Sequence, residues 1–288
     1  MSMTLGDDQL IRAWDAHEEA AFTALLDDIY NLHNHDFRGY SGAFLRRRLS
    51  LAMSRLEIGS VDQLRARINS DPRVFSTVFQ HLTVSVSEMF RDPQYFRSLR
   101  DDVLPILKTY SSPRIWVAGC GAGEEVYSIA ILLQEMGMLE CSLIYATDIN
   151  PLALRTASLG IFPVANLPAY TLNYRAAGGE ATLANYYHVA YGTAVFDRQL
   201  RRRIVFAEHS LATDAIFSEM QFVSCRNVLI YFNREMQGRT INMFADTLCH
   251  RGFLGLGARE GIAVTGAAAR FESFVKPVKI YRKTPEFY

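Results

Sequence analysis

The sequence is short of the residues that mark several large function classes. It has 4 cysteines in 288 residues, Cys120, Cys141, Cys225 and Cys249. None forms a close pair, which excludes a disulfide scaffold and points to buried thiols of a reducing compartment. The 7 histidines show no metal-ligand spacing, and no His/Cys cluster with zinc geometry occurs. Net charge is absent too. Thirty basic residues balance thirty acidic ones, so no global field draws the chain to nucleic acid or to a membrane surface. The first residues, Met1 to Leu10, carry acids and no apolar run, so neither a signal peptide nor a membrane span is expected. No serine sits in a strand–elbow–helix nucleophile motif. The glycine turn described next lacks the Lys-Ser/Thr ending of a phosphate-binding loop. A soluble cytoplasmic protein is expected, with hydrophobic content of 49% suiting a globular core.

The chain is organised around residues 114–131. Ile115 to Ala118 read as a short buried strand, Gly119, Gly121 and Gly123 as a tight turn, and Glu124 onward as a helix with Val126, Ile129, Ala130 and Leu133 on its apolar face. Such a turn brings backbone N–H groups close to a ligand. A second strand, Leu143 to Thr147, ends in Asp148, about 25 residues beyond Gly123, where an acid holds ribose hydroxyls. These features predict a nucleoside cofactor. Glu124 and Glu125 narrow the choice. Acids beside the turn repel a dinucleotide pyrophosphate and suit a ligand with a cationic end, such as S-adenosylmethionine. Methyl transfer is favoured over hydride transfer on that ground.

The remaining chain divides around this unit. Residues 18–30, 44–56, 60–70 and 71–82 carry helical periodicity and predict a small helical domain. Arg46, Arg47, Arg48 and Arg55 recur on its second helix and read either as a solvated face or as a docking patch for an acidic protein surface. Ser85 and Ser87 precede an aromatic, an arginine and an acid in Glu88-Met-Phe-Arg-Asp92, so Ser85 and Ser87 are candidates to face a ligand. Arg91 is suited to anchor a carboxylate, or else pairs with Asp92. Residues 161–185 read as irregular. Tyr187–Tyr191, Val195–Arg198 and Arg203–Ala207 read as three short strands of a small antiparallel sheet, the last of them open to joining the main sheet. Phe222–Ser224 is a core strand leading into Cys225-Arg226-Asn227-Val228-Leu229-Ile230-Tyr231-Phe232. Strand C-termini carry the site in open α/β sheets, so Asn227 and Tyr231 are candidates. A helix is predicted over Arg234–Cys249, a strand over Gly252–Leu256, and a closing hairpin over 270–282 whose last strand, Val278–Tyr281, lies on the edge.

These pieces resemble the CheR-type family of chemotaxis receptor methyltransferases. The resemblance is carried by Glu88-Met-Phe-Arg-Asp92, Ala118-Gly-Cys-Gly-Ala-Gly-Glu-Glu-Val-Tyr-Ser128, Ala146-Thr-Asp-Ile-Asn150, Cys225 to Phe232 and Lys279-Ile-Tyr-Arg282, in that order behind a helical domain. It implies an α/β, Rossmann-like methyltransferase sheet with an N-terminal all-helical domain and a small inserted antiparallel β subdomain. The expected division is 1–90 for the helical domain and linker and 91–288 for the catalytic domain, with the β subdomain at about 186–207. It also implies methyl transfer from S-adenosyl-L-methionine to glutamate side chains on the cytoplasmic helices of a chemoreceptor, by a monomer without nucleic acid. A receptor-tail peptide pairing with the small sheet is a further partner known for some members. Carried over by motif, Arg91 and Tyr231 resemble the active-site pair. Gly119, Gly121, Glu124, Glu125 and Asp148 resemble the cofactor-binding set. Cys225, Arg226 and Asn227 fall along the pocket, and Ser210 and Leu211 beside the adenine. Departures are Ser85 and Ser87 for asparagine and threonine, Ser210 for asparagine, and Gly121–Ala122 for Ser/Thr-Thr. The alternative reading is a catalytically weak module that binds the cofactor and docks a receptor.

Overall fold

The structure, a computed structural model, describes residues 14–263 and 266–285. The acidic stretch Met1–Leu10 lies outside them. The chain forms two compact units, one running to Val84 and including Tyr231–Met236, the other comprising Ser85–Ile230 and the chain from Gln237 onward.

Among the described residues up to Val84, the first unit holds four helices, Ala16–His33, Gly42–Arg55, Val61–Ser70 and Pro72–Leu82. Their starts are written locally. The Asp15 carboxylate accepts from the Glu18 N–H and Glu18 reaches back to the Asp15 N–H, which satisfies two donors at the helix end. Ser60 caps the third helix, and Asp71 with Pro72 starts the fourth. Leu25, Ile29, Leu45, Leu49, Leu64 and Val78 are fully buried. Each such side chain contributes about 1.5–3 kcal/mol by leaving water. The arginine run is partly internal. Arg46 pairs with Glu19 at 3.1 Å and Arg48 donates to the His81 carbonyl, while Arg55 is exposed. Tyr231–Met236 completes this unit. The Ser41 N–H donates to the Tyr231 carbonyl at 2.8 Å, the Asn233 N–H donates to the Gly39 carbonyl at 2.9 Å, and Phe232 bridges to Tyr40.

The second unit is built on strands β1 (Arg114–Ala118), β2 (Leu143–Asp148), β3 (Ile161–Pro163), β4 (Tyr187–Ala190), β5 (Thr193–Phe196), β6 (Ile204–Glu208), β7 (Met220–Cys225), β8 (Leu248–Leu256), β9 (Phe271–Val275) and β10 (Ile280–Lys283). The main sheet has the order β6-β2-β1-β7-β8-β10-β9. The five strands from β6 to β8 are parallel, and β10 runs antiparallel to both neighbours. The chain leaves β1 to one side through β2 and β6, then returns to the other side at β7. The strand order therefore reverses between β1 and β7, where open α/β sheets bind ligands at the strand C-termini. This is the Rossmann-like sheet expected from the sequence, preceded by an all-helical region and carrying a separate antiparallel sheet of order β3-β5-β4.

Several details differ from the sequence reading. The third strand of the small sheet is β3, from the stretch read as irregular, while β6, which the sequence left open to joining the main sheet, does so beside β2. Three residues are too few to show alternation. Phe162 earns its place by ring packing against Tyr127 and Phe196. Within the closing hairpin the last strand is interior and β9 takes the edge, because the turn at Lys276–Val278 and a left-handed Lys279 fold β10 back against β8. The helix predicted over Arg234–Cys249 stops at Thr247, and Leu248–Arg251 extend β8.

Candidate functional site

Candidate ligand-binding residues of the second unit gather at the C-terminal ends of β1, β2 and β7. The turn after β1 is left-handed at all three glycines, with φ of 70° at Gly119, 54° at Gly121 and 101° at Gly123. Space demands glycine as well. A Cβ on Gly119 would lie 2.4 Å from Val228 Cγ2, and one on Gly123 would lie 2.9 Å from the Ala157 Cβ. The Gly119 and Cys120 N–H groups donate to the Thr147 carbonyl at 2.8 and 2.9 Å, tying the turn to the end of β2.

Asp148 closes that end. Its Oδ2 accepts from the Gly121 N–H at 2.8 Å and its Oδ1 from the Asn150 N–H at 2.9 Å. Burial pushes its carboxyl above the usual aspartate value, against the pull of these donors. The His209 N–H donates to the Asp148 carbonyl at 3.2 Å, which brings Ser210 and Leu211 alongside. Ser210 Oγ accepts from the Ala212 N–H at 3.3 Å and its N–H donates to Asp214 Oδ2 at 2.8 Å, so this serine organises its own turn. Ser85 lies against the glycine turn, its backbone 3.6 Å from where a Gly121 Cβ would stand. Ser87 follows on the same segment, outside any helix or strand.

The two acids after the turn have different surroundings. Glu125 Oε1 accepts from Ser224 Oγ at 2.6 Å and Oε2 from Arg226 Nη1 at 2.9 Å. Tyr95 in turn lies 2.7 Å from the Ser224 hydroxyl. Glu124 is buried, with the Tyr170 hydroxyl beside it and with Oε2 lacking any partner. Burial pushes its carboxyl up. A carboxyl raised in the folded state adds stability below its unfolded value and loses it as pH rises through the raised one. In the cofactor-free protein Glu124→Gln is therefore expected to melt higher than the parent at neutral pH, by about 2–4 °C for each kcal/mol relieved. The gap should close on acidification. Scanning calorimetry across pH checks this, and a lower melting point for the variant at neutral pH would contradict it.

Cys225 is buried at the end of β7 and burial raises its thiol. Arg226 is also buried. Its guanidinium binds Glu125, Asp92 and the Arg91 carbonyl. Asp92 thus pairs with Arg226, and among the described residues nothing pairs with the half-buried Arg91 guanidinium. Asn227 is left-handed at φ 61°. Its N–H is held by Glu260, which sequence reasoning missed. This buried carboxylate accepts from the backbone of Asn227, Val228, Ile230 and Gly257 at 2.7–3.3 Å. The available signal was Gly257-Ala-Arg-Glu260 at the end of a buried strand, an acid three residues beyond a glycine. Tyr231 is described in the helical unit, its ring 4.6 Å from that of Phe44 and its hydroxyl near the charge of Arg48.

The donor set suits S-adenosylmethionine. A glycine cradle with no room for a Cβ, a carboxylate at the end of β2, and a buried acid with an unpartnered oxygen match a nucleoside with a cationic tail. Comparison with known proteins agrees. The model of the CheR methyltransferase all-alpha domain matches residues 20–83, and that of the CheR methyltransferase SAM binding domain matches residues 85–278. The chain is 50% identical over 260 residues to the putative methyltransferase Cher3 of Pseudomonas putida, covering 90% of this chain and 95% of that one. It is 28% identical over 246 residues to chemotaxis protein methyltransferase 2 of Pseudomonas aeruginosa, covering 83% and 85%. A chemotaxis protein methyltransferase of Listeria monocytogenes is 27% identical over 233 residues, covering 79% and 84%. With both domain models matched in order along most of its length, the chain belongs to the CheR family of S-adenosylmethionine-dependent methyltransferases.

Proposed function

We propose that the protein methylates glutamate side-chain carboxylates on the cytoplasmic helices of a chemoreceptor, leaving a glutamyl methyl ester and S-adenosylhomocysteine. The observation that carries this reading is the Arg91 guanidinium. It is unpartnered among the described residues, and it stands on the segment whose start, Ser85, lies against the glycine turn. A fork of donors there suits a planar carboxylate acceptor. The names of the relatives in Pseudomonas aeruginosa and Listeria monocytogenes point to the same pathway.

The cofactor supplies an electrophilic methyl carbon with a neutral thioether as leaving group. An ionised glutamate needs no general base, so the protein's task is positioning. Arg91 orients the acceptor while leaving one oxygen lone pair for attack. Asp148 accepts from the ribose hydroxyls. Glu124 and Glu125 place negative charge near the cationic end, and Asn227, Ser210, Leu211 and Ser87 line the nucleoside. Tyr231 is the second catalytic candidate, tested by Tyr231→Phe. The protein acts as a cytoplasmic monomer. Receptor docking falls to the exposed Arg55 more than to Arg46 and Arg48, which are engaged inside the helical unit. The β4 edge offers pairing to a receptor-tail peptide.

Asp148→Ala is expected to weaken cofactor binding by about 1–3 kcal/mol, the cost of leaving buried donors unsatisfied. Calorimetric titration checks this, and unchanged affinity would remove Asp148 from the site. The function itself is tested with methyl-labelled cofactor and receptor cytoplasmic fragments with and without their tails. Label should enter the fragment and leave as methanol under base, as an ester requires. The rival reading, a catalytically weak module, rests on the serines at 85 and 210. Cofactor binding without label transfer would favour it.

A further inference from the structure

We infer that Arg226 is the positioning residue that presents Arg91, and not a cofactor ligand. This rests on the reading of Arg91 as the acceptor-side cation. The Arg226 side chain is 1% exposed. Nη2 donates both to the Arg91 carbonyl at 2.8 Å and to Asp92 Oδ2 at 2.7 Å, while Nη1 donates to Glu125 Oε2 at 2.9 Å. The guanidinium lies 4.1 Å from the centre of the Tyr95 ring, a cation–π contact that fixes its plane. Tyr95 is itself held by the Ser224 hydroxyl, and a Cβ on Gly255 would lie 2.0 Å from the Tyr95 oxygen. The strut thus runs from β8 through Tyr95 and β7 to the 88–92 turn.

That turn needs a strut. Phe90 and Asp92 both sit in the left-handed region, at φ 53° and 57°, on either side of Arg91. Phenylalanine adopts this region only under constraint from its surroundings, whereas aspartate enters it more readily. One shoulder is held by the Phe90 N–H, which donates to Ser128 Oγ at 2.8 Å, with the ring fully buried. The other shoulder is held by Arg226, through the Arg91 carbonyl and the Asp92 carboxylate, and by the Tyr95 N–H, which donates to the Asp92 carbonyl at 2.8 Å. Arg91 stands between two clamped neighbours with its own guanidinium unpartnered among the described residues. The same Arg226 grips Glu125 in the first turn after the glycines, so one planar group sets the spacing between the acceptor side and the cofactor side. Lysine carries the charge but not the fork.

The test is a double-mutant cycle in the full-length protein, read as kcat and as KM for the cofactor. Asp92→Asn suits it because Asp92 is 45% exposed and its loss leaves the buried pair of Arg226 with Glu125 intact. Arg226→Lys is the stronger companion, and calorimetric cofactor binding reports whether it has folded. Both are expected to lower kcat, by on the order of tenfold to a hundredfold as small misplacements do, with cofactor KM changing less than about twofold. Arg91→Lys should lower kcat similarly. In the Arg91→Lys background, adding Asp92→Asn should cause no further loss, because its effect passes through Arg91. An undiminished loss in that background overturns the inference while leaving Arg91 in its role. Full activity of Arg91→Lys overturns the role of Arg91, and the inference with it. A rise in cofactor KM with kcat unchanged would return Arg226 to the cofactor.

Discussion

Arg91→Ala is expected to lower kcat for receptor methylation by on the order of 10²- to 10³-fold, the loss seen when one preorganised charged or donor group is removed from a reacting centre. Cofactor affinity should stay within about threefold of the parent, because an interaction made with the acceptor contributes little to cofactor binding. The structure supports this separation. The carbonyl of Arg91 is engaged by Arg226, and its guanidinium has no partner among the described residues, so truncation removes a functional group without opening an internal ion pair. Single-turnover transfer at saturating cofactor and receptor gives the first quantity and calorimetry the second. An unchanged single-turnover rate would exclude Arg91 from the reaction. Equal losses in rate and in cofactor affinity would move it to the cofactor side.

Glu260→Ala is expected to cost about 3–5 kcal/mol of stability, the size reached when a buried charged partner is deleted. Its four backbone donors stand at 2.9 Å from Asn227, 2.8 Å from Val228, 3.3 Å from Ile230 and 2.7 Å from Gly257. Each unsatisfied N–H costs about 1–3 kcal/mol when buried. The full sum is not expected. Glu260 lines a cavity of about 240 Å³ with Leu229, Ile230 and Gln237, and water entering there would satisfy part of the deficit. The melting temperature should fall by roughly 10 °C at 2–4 °C per kcal/mol. The left-handed Asn227, no longer held, should bind cofactor more weakly even below the transition. Urea denaturation with a loss under about 1 kcal/mol would show that the four contacts are weak or readily replaced.

The sequence shows some parts of this molecule clearly because their information is local. An apolar run into spaced glycines and then a helix period specifies β1, its turn and the following helix without distant partners. Ser60 and Asp71 announce helix starts in the same way. Where the deciding contact is remote, the sequence is silent. Ile161–Pro163 is a strand because β5 lies beside it, and three residues cannot advertise that. The order of β9 and β10 depends on which one reaches β8. Arg226 reads as one more residue of a pocket-lining motif, because its partners Asp92 and Glu125 lie over one hundred residues earlier. Arg46 and Arg48 look like a solvated or docking face until Glu19 and the His81 carbonyl are found opposite them. Glu260 belongs to the same class. Its acid is ordinary in composition, and only four converging N–H groups make it structural.

The helical unit is discontinuous in sequence, and that has a consequence for how the protein is made. The four helices leave the ribosome roughly 150 residues before Tyr231–Met236, the segment that completes them. At 5–20 residues per second, the delay is on the order of ten seconds or more. Over that interval Tyr40 lacks its bridge to Phe232, and Gly39, whose missing Cβ leaves room for the Met236 sulfur, has nothing to receive. The amino-terminal region therefore finishes folding after most of the sheet strands have been synthesised. A chain released at residue 84 would contain the four helices described above for that unit and still lack the piece that closes it.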